Sequence, residues 1–149
     1  MKKLRIFLCD LTYNTIILVS DTIPINIGFV GSYLNKNFGE KVELSLFKYP
    51  NDVIKSIYKN PPDMIALSNY SWNSNLSEHV ASIAKKINPE IIVVQGGTNF
   101  PHEEKLQGDF LKSRPNTGTL SKKGMNIPKI RITIEFSNEI NWKIIIRMI

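Results

Sequence analysis

Four short apolar runs with three amphipathic segments set between them predict an α/β fold, a doubly wound and mostly parallel open sheet. Strands separated by helices pair in parallel, because a helical crossover returns the chain to the same end of the sheet. The mainly continuous apolar character of the runs implies that both faces of the sheet are covered.

Leu4 to Cys9 reads as the first strand, apolar and bounded by charged residues. An irregular connection, DLTYNTIILVSDT, follows. Pro24 suits the first turn of a helix, where its missing N–H costs nothing; Ile27, Val30, Leu34 and Phe38 recur at spacings of three and four, and Gly39 stands where a C′ residue falls. Val42 to Phe47 alternates like a half-buried strand. After Tyr49-Pro50, a short helix with Val53, Ile54, Ile57 and Tyr58 on one side runs to the Pro61-Pro62 stop. Met64 to Ser68 is the third strand. Asn75 and Glu78 have capping-box spacing, and Leu76, Val80, Ile83, Ala84 and Ile87 line one face of a helix halted by Pro89. Ile91 to Val94 is the fourth strand. Right-handed crossovers then favour the flavodoxin-like order 2-1-3-4.

Beyond Pro101 the rhythm weakens. His102 to Lys112 reads as a helix despite Gly108, and Asn116 to Pro128 is a polar loop by composition. Ile130 to Phe136 and Trp142 to Ile149 are strand-like, as a hairpin or as edge strands. The expected organisation is an α/β domain over residues 1–116 and a divergent tail over 117–149.

The length of 149 residues suits one compact domain, and 42% hydrophobic with 21% charged residues is ordinary globular composition. No run approaches the ~18 apolar residues of a membrane span, and the start lacks a signal-type cleavage site, so the default location is cytoplasmic, with no membrane partner. The net charge of +6 is concentrated after residue 100, where nine Lys/Arg face five Asp/Glu, against ten and eight before it. No basic, aromatic-interleaved stripe marks the first hundred residues, which argues against a nucleic-acid partner. Cys9 is the single cysteine, so the sequence can form neither an internal disulfide nor an iron–sulfur cluster of its own.

In open parallel sheets ligands bind beyond the carboxyl ends of the strands. Those exits here are Asp10 to Thr15, Ser68 to Trp72 and Gln95 to Asn99. Gly96-Gly97 ends a strand with bare backbone, a floor that a ligand can approach closely. Ser68, Asn69, Asn73 and Thr98 extend a polar, uncharged lining suited to an amide-rich ligand or a nucleotide tail. Plainer roles compete at each position: a turn for the glycines, a turn hydroxyl for Ser68, and rim packing for Tyr70 and Trp72. Cys9 reads as a small core hydrophobe, His79 as a surface residue, and His102 with Glu103 and Glu104 as no metal site. Asp10 either caps its loop or faces the crevice.

The order of PINIGFVGSYL, PPDMIALSNYSWN and NPEIIVVQGGTNFP resembles the N-terminal cobalamin-binding domain of cobalamin-dependent radical S-adenosylmethionine enzymes, over roughly Lys3 to Asn116. The resemblance implies a Rossmann-like cobalamin-binding domain in which Ser68 meets the nucleotide tail and Gly96 and Gly97 lie under it. Many such domains carry Asp-x-His-x-x-Gly after the first strand, the histidine ligating cobalt. Here Asp10-Leu11-Thr12-Tyr13-Asn14 stands instead, with Thr12 at the histidine's place, so cobalamin would bind without a histidine lower ligand. The expected cofactor-binding set is Thr12, Ser68, Asn69, Gly96, Gly97 and Thr98. One cysteine cannot supply the C-x-x-x-C-x-x-C cluster of the radical barrel, and TGTLSKKGMNIP stands where that family continues. The resemblance therefore implies a truncated form: a module without catalysis of its own that presents cobalamin to a radical SAM barrel domain or partner chain. The alternative is a flavodoxin-like regulatory or protein-interaction domain that has lost its cofactor. An autonomous enzyme finds no nucleophile–base pair or paired carboxylates at the rim.

Overall fold

A computed structural model describes residues 2–14, 22–99, 106, 109, 110 and 112–116, and the backbone of 130–136 and 142–148. The chain divides into two compact units, Met1–Thr119 and Leu120–Ile149. The first unit runs β1 (Leu4–Cys9), α1 (Ile25–Phe38), a 3-10 turn (Gly39–Lys41), β2 (Val42–Phe47), α2 (Pro50–Lys59), β3 (Met64–Ser68), α3 (Ser74–Ile87) and β4 (Ile92–Gly96). Its four strands form a wholly parallel sheet in the order β2-β1-β3-β4. This is the doubly wound, flavodoxin-like α/β architecture that the sequence pattern predicts.

Side-chain alternation divides the sheet into two faces. Phe7, Cys9, Ile65, Leu67 and Val93 point to one, where they join Val53 and Ile57 of α2 and Val80, Ala81 and Ala84 of α3 in a single buried cluster. Helix α1 covers the other face. At Gly31 an added Cβ would lie 3.3 Å from Leu8 Cδ1 and 3.6 Å from Leu46 Cδ1, so the helix sits down on β1 and β2 where a larger residue would hold it off. Tyr58 departs from the expected apolar side of α2. It is exposed, while Val53 and Ile57 alone turn fully inward.

The amino ends of the strands are closed by polar contacts. The Asp63 carboxylate accepts the Arg5 backbone N–H at 2.8 Å, the Arg5 guanidinium donates to Asn60 and Pro61 and meets Glu43 at 3.2 Å, and Asp63 N–H donates to Arg5 O. At the opposite end the ladders run on past the strands: Asp10 and Thr12 donate to Phe47 O and Lys48 O, and Asn69 donates to Gly96 O. That end stays open above, and it is the edge that positions the candidate site.

The second unit is an antiparallel pair, β5 (Ile130–Phe136) with β6 (Trp142–Met148), in register from Ile130 opposite Met148 to Phe136 opposite Trp142. The expected helix from His102 to Lys112 and the loop from Asn116 to Pro128 lie largely outside the described residues. Among the described residues no helix is long and apolar enough to cross a membrane.

Cys9 sits at the centre of the buried cluster with no exposure, and burial pushes its thiol well above the ordinary value of 9.0. Above that value the unfolded chain sheds a proton that the folded chain retains, so stability falls as pH rises. The stability advantage of wild type over Cys9→Ala should therefore shrink by about 1 kcal/mol between about pH 8 and about pH 10, read from urea denaturation. A constant difference would show that the thiol ionises freely in the folded state.

Candidate functional site

The exits of β1, β3 and β4 converge at the open edge, held by two asparagines with no exposed surface. Asn73 stands at the start of α3, and its carboxamide turns back toward the sheet. Its Oδ1 accepts the Tyr70 N–H at 2.8 Å, while its Nδ2 donates to Leu11 O at 3.2 Å and to Ser68 Oγ at 3.1 Å. One side chain thus ties the end of β1 to the end of β3. The expected capping box of Asn75 and Glu78 is absent: Asn73 is the N-cap and the helix begins at Ser74, two residues before the start an Asn75 cap would give, and Glu78 instead accepts from Asn116 Nδ2 at 3.0 Å. The spacing in sequence matched, but the glutamate meets a partner 38 residues away.

Asn69 does the same work between β3 and β4. Its Nδ2 donates to Gln95 at 3.0 Å, its Oδ1 accepts from Asn99 Nδ2 at 3.1 Å, and its carbonyl accepts the Asn99 N–H. This is a side chain spent on the scaffold of the rim. Ser68 is half-buried. Its hydroxyl donates to Asp10 Oδ1 at 2.5 Å and accepts from Asn73, which leaves one lone pair, and its carbonyl accepts from Ser77 Oγ at 3.0 Å.

The glycine pair divides into two roles. Gly96 closes β4 opposite Ser68. Gly97 has φ +138°, and a Cβ there would lie 2.6 Å from the Asn69 carbonyl oxygen. A side chain is therefore excluded by the neighbouring strand exit itself, independently of any ligand. Gly97 and Thr98 are exposed above that crossing.

Thr12 lies at the other end of the rim and lines a cavity of about 250 Å³ together with Asp10, Asn26, Lys48 and Trp72. Residues Thr22 to Asn26, which lead into α1, close its far side. Trp72 stacks on Tyr70, ring centroids 4.5 Å apart and planes 4° from parallel, yet remains 63% exposed. The Tyr70 hydroxyl accepts from Asn26 Nδ2 at 3.0 Å, joining the first turn of α1 to this platform. Rim packing and an open aromatic face coexist here. The sequence reading did not include Trp72, Asn26 or Lys48 in the site. The signal was present for Asn26, since a helix following β1 must begin at the edge where β1 ends.

His79 is exposed on α3 and lines a separate cavity of about 430 Å³ with Tyr13 and Asp52, away from the Ser68 rim. His102 lies outside the described residues. Among the described residues no three His, Cys, Asp or Glu side chains converge to hold a metal.

Sheet, crossovers and open carboxyl edge define a doubly wound α/β domain of the ligand-binding kind. Residues 14–119 match the family of B12 binding domains, and the chain belongs to that family. It is similar to the cobalamin-dependent radical SAM methyltransferase TokK of Streptomyces tokunonensis, with 37% identity over 60 residues, 40% of this chain and 8% of that protein. It is likewise similar to the 2-(S-pantetheinyl)-carbapenam-3-carboxylate methyltransferase of Streptantibioticus cattleyicolor, with 39% identity over 59 residues, 40% of this chain and 8% of that one. The match thus spans less than a tenth of either curated relative. The resemblance drawn from the order of the sequence motifs is borne out at the level of the family.

Gly97→Ala places a methyl group against the Asn69 carbonyl and an alanine at a φ it rarely adopts. Chemical denaturation should show a loss of about 1–3 kcal/mol. Unchanged stability would contradict the close crossing of the two strand exits.

Proposed function

We propose that residues 1–116 are a cobalamin-binding module, non-catalytic by itself, whose cofactor site is the rim formed by Thr12, Ser68, Gly96, Gly97 and Thr98, with Asn69 as the strut beneath it. Residues 117–149 form a divergent tail. The observation that carries the reading is the convergence of three parallel strand ends on a surface of bare backbone, hydroxyls and an exposed indole, in a chain of the B12-binding family.

The chemistry of the lining fits such a ligand. A corrinoid is broad, flat and edged with carboxamides, which hydroxyls and carboxamides can bond and an indole face can contact. Gly97 keeps the floor low because nothing projects from it. The described rim offers no imidazole, so the chain would hold cobalamin without a histidine lower ligand; Thr12, where the Asp-x-His pattern has its ligand, supplies a hydroxyl that does not replace one. When bound, the corrinoid supplies cobalt–alkyl chemistry. The chain's own residues bind it and fix its orientation, with Ser68 locked by Asp10 and Asn73 so that it does not reorient.

The two similar proteins are both named methyltransferases, and one of them a cobalamin-dependent radical SAM enzyme. That supports a role beside a radical SAM barrel, carried by another domain or by a partner chain; a cytoplasmic location belongs to the same proposal. This sequence holds one cysteine and does not supply the three-cysteine cluster itself.

Hydroxocobalamin added to the purified chain should give a saturable change in its visible spectrum with a midpoint below about 100 micromolar, equivalent to about 5 to 6 kcal/mol. A spectrum that stays additive up to that concentration would remove the cobalamin reading.

A further inference from the structure

We propose that Asp10 is the acceptor for a propionamide arm of the bound corrinoid, which makes it a specificity-determining residue of the rim. The inference rests on the cobalamin reading above and adds to it the identity of one contact.

Asp10 follows β1 directly, its backbone N–H held by Phe47 O, so its position is fixed by the sheet ladder. Its carboxylate ends a directed chain of hydrogen bonds: Asn73 Nδ2 donates to Ser68 Oγ, and Ser68 Oγ donates to Asp10 Oδ1. Each donor in the chain points toward Asp10. Among the described residues the Ser68 hydroxyl is the one donor this carboxylate receives, whereas an ionised carboxylate offers about four acceptor positions. Asp10 also lines the cavity of about 250 Å³ beside Thr12 and Trp72. A carboxylate lining a cavity, with acceptor positions beyond the one that Ser68 takes, favours a group that carries N–H.

Size and charge narrow that group. The cavity falls below the roughly 300 to 1,000 Å³ of a whole small-molecule site, so it takes one arm of a larger ligand. The other ionic side chain lining it, Lys48, holds its ammonium 5.5 Å above the Tyr49 ring centroid. A negatively charged arm would meet the Asp10 carboxylate and is disfavoured. A primary carboxamide donates to Asp10 through nitrogen and can accept from the Thr12 hydroxyl through oxygen. Asp10 is half-buried at the exit of β1, and a propionamide, one methylene longer than an acetamide, has the greater reach to such a recessed acceptor.

The test compares cyanocobalamin with its b-, d- and e-monocarboxylic acids, in each of which one propionamide has become a propionate, by equilibrium dialysis against the full chain. One of the three acids should bind about ten- to a hundredfold more weakly than cyanocobalamin, the penalty of lost donation to a charged group. In Asp10→Asn, which keeps an acceptor for Ser68 and gains a donor, that same acid should return to near parity. Three acids that bind as tightly as cyanocobalamin overturn the inference and leave the cobalamin reading standing. Weakening of one acid without recovery in a folded Asp10→Asn also overturns it, since the charge sensed is then not that of Asp10. If Asp10→Asn fails to fold, Asp10→Ser takes its place, with the same recovery expected and the same failure to recover overturning the inference. Absence of binding by cyanocobalamin and hydroxocobalamin alike overturns the cobalamin reading and this inference together.

Discussion

Two buried carboxamides, those of Asn69 and Asn73, hold together the strand ends on which the rest of the rim depends. A buried amide left without partners costs about 1–3 kcal/mol, so each must find its hydrogen bonds within the fold. Asn73 finds them on Leu11, Ser68 and Tyr70, and Asn69 on Gln95 and Asn99. Neither set is satisfied unless β1, β3 and β4 end at the same level. Parallel pairing places those ends on one edge, and the asparagines fix their spacing.

The surface above follows from that constraint. With the exits drawn together, the turn after β4 crosses the Asn69 carbonyl so closely that residue 97 has no space for a Cβ. The bare backbone that suits a flat ligand is thus also what the scaffold requires. Ser68, fixed from both sides, and Asp10, which accepts its hydrogen bond, stand at the neighbouring exits of β3 and β1. Tyr70 and Trp72 follow from it as well, because the loop that Asn73 caps is the loop that stacks them.

The sheet was legible in the sequence because strand and helix each have their own period and the crossovers leave few possible orders. Leu4 to Cys9 and Met64 to Ser68 could be located from apolar runs alone. The rim was legible only in part. Gly97 marked itself by lacking a side chain, though a reason for it already lies in the neighbouring Asn69. Asn73 was assigned a polar lining role, yet it is buried, since its partner Leu11 is 62 residues away and no local pattern reports such a pair. Asn75 and Glu78 carried the spacing of a cap without forming one. Trp72 was weighed as packing and proves to be both packed and open, a combination that depends on which face of the ring Tyr70 covers.

The family assignment and the rim geometry meet at one edge of the sheet, where the exit of β1 carries Thr12, that of β3 Ser68 and that of β4 Gly97. The cavity beside His79 on the α2–α3 side offers a distinct destination for a ligand. Two-dimensional amide NMR of the chain with hydroxocobalamin distinguishes the two most directly. The account predicts that the perturbed signals are the amides of Thr12, Gly96, Gly97 and Thr98 and the indole N–H of Trp72. Perturbation centred instead on Tyr13, Asp52 and His79, with the glycine signals unmoved, would contradict it.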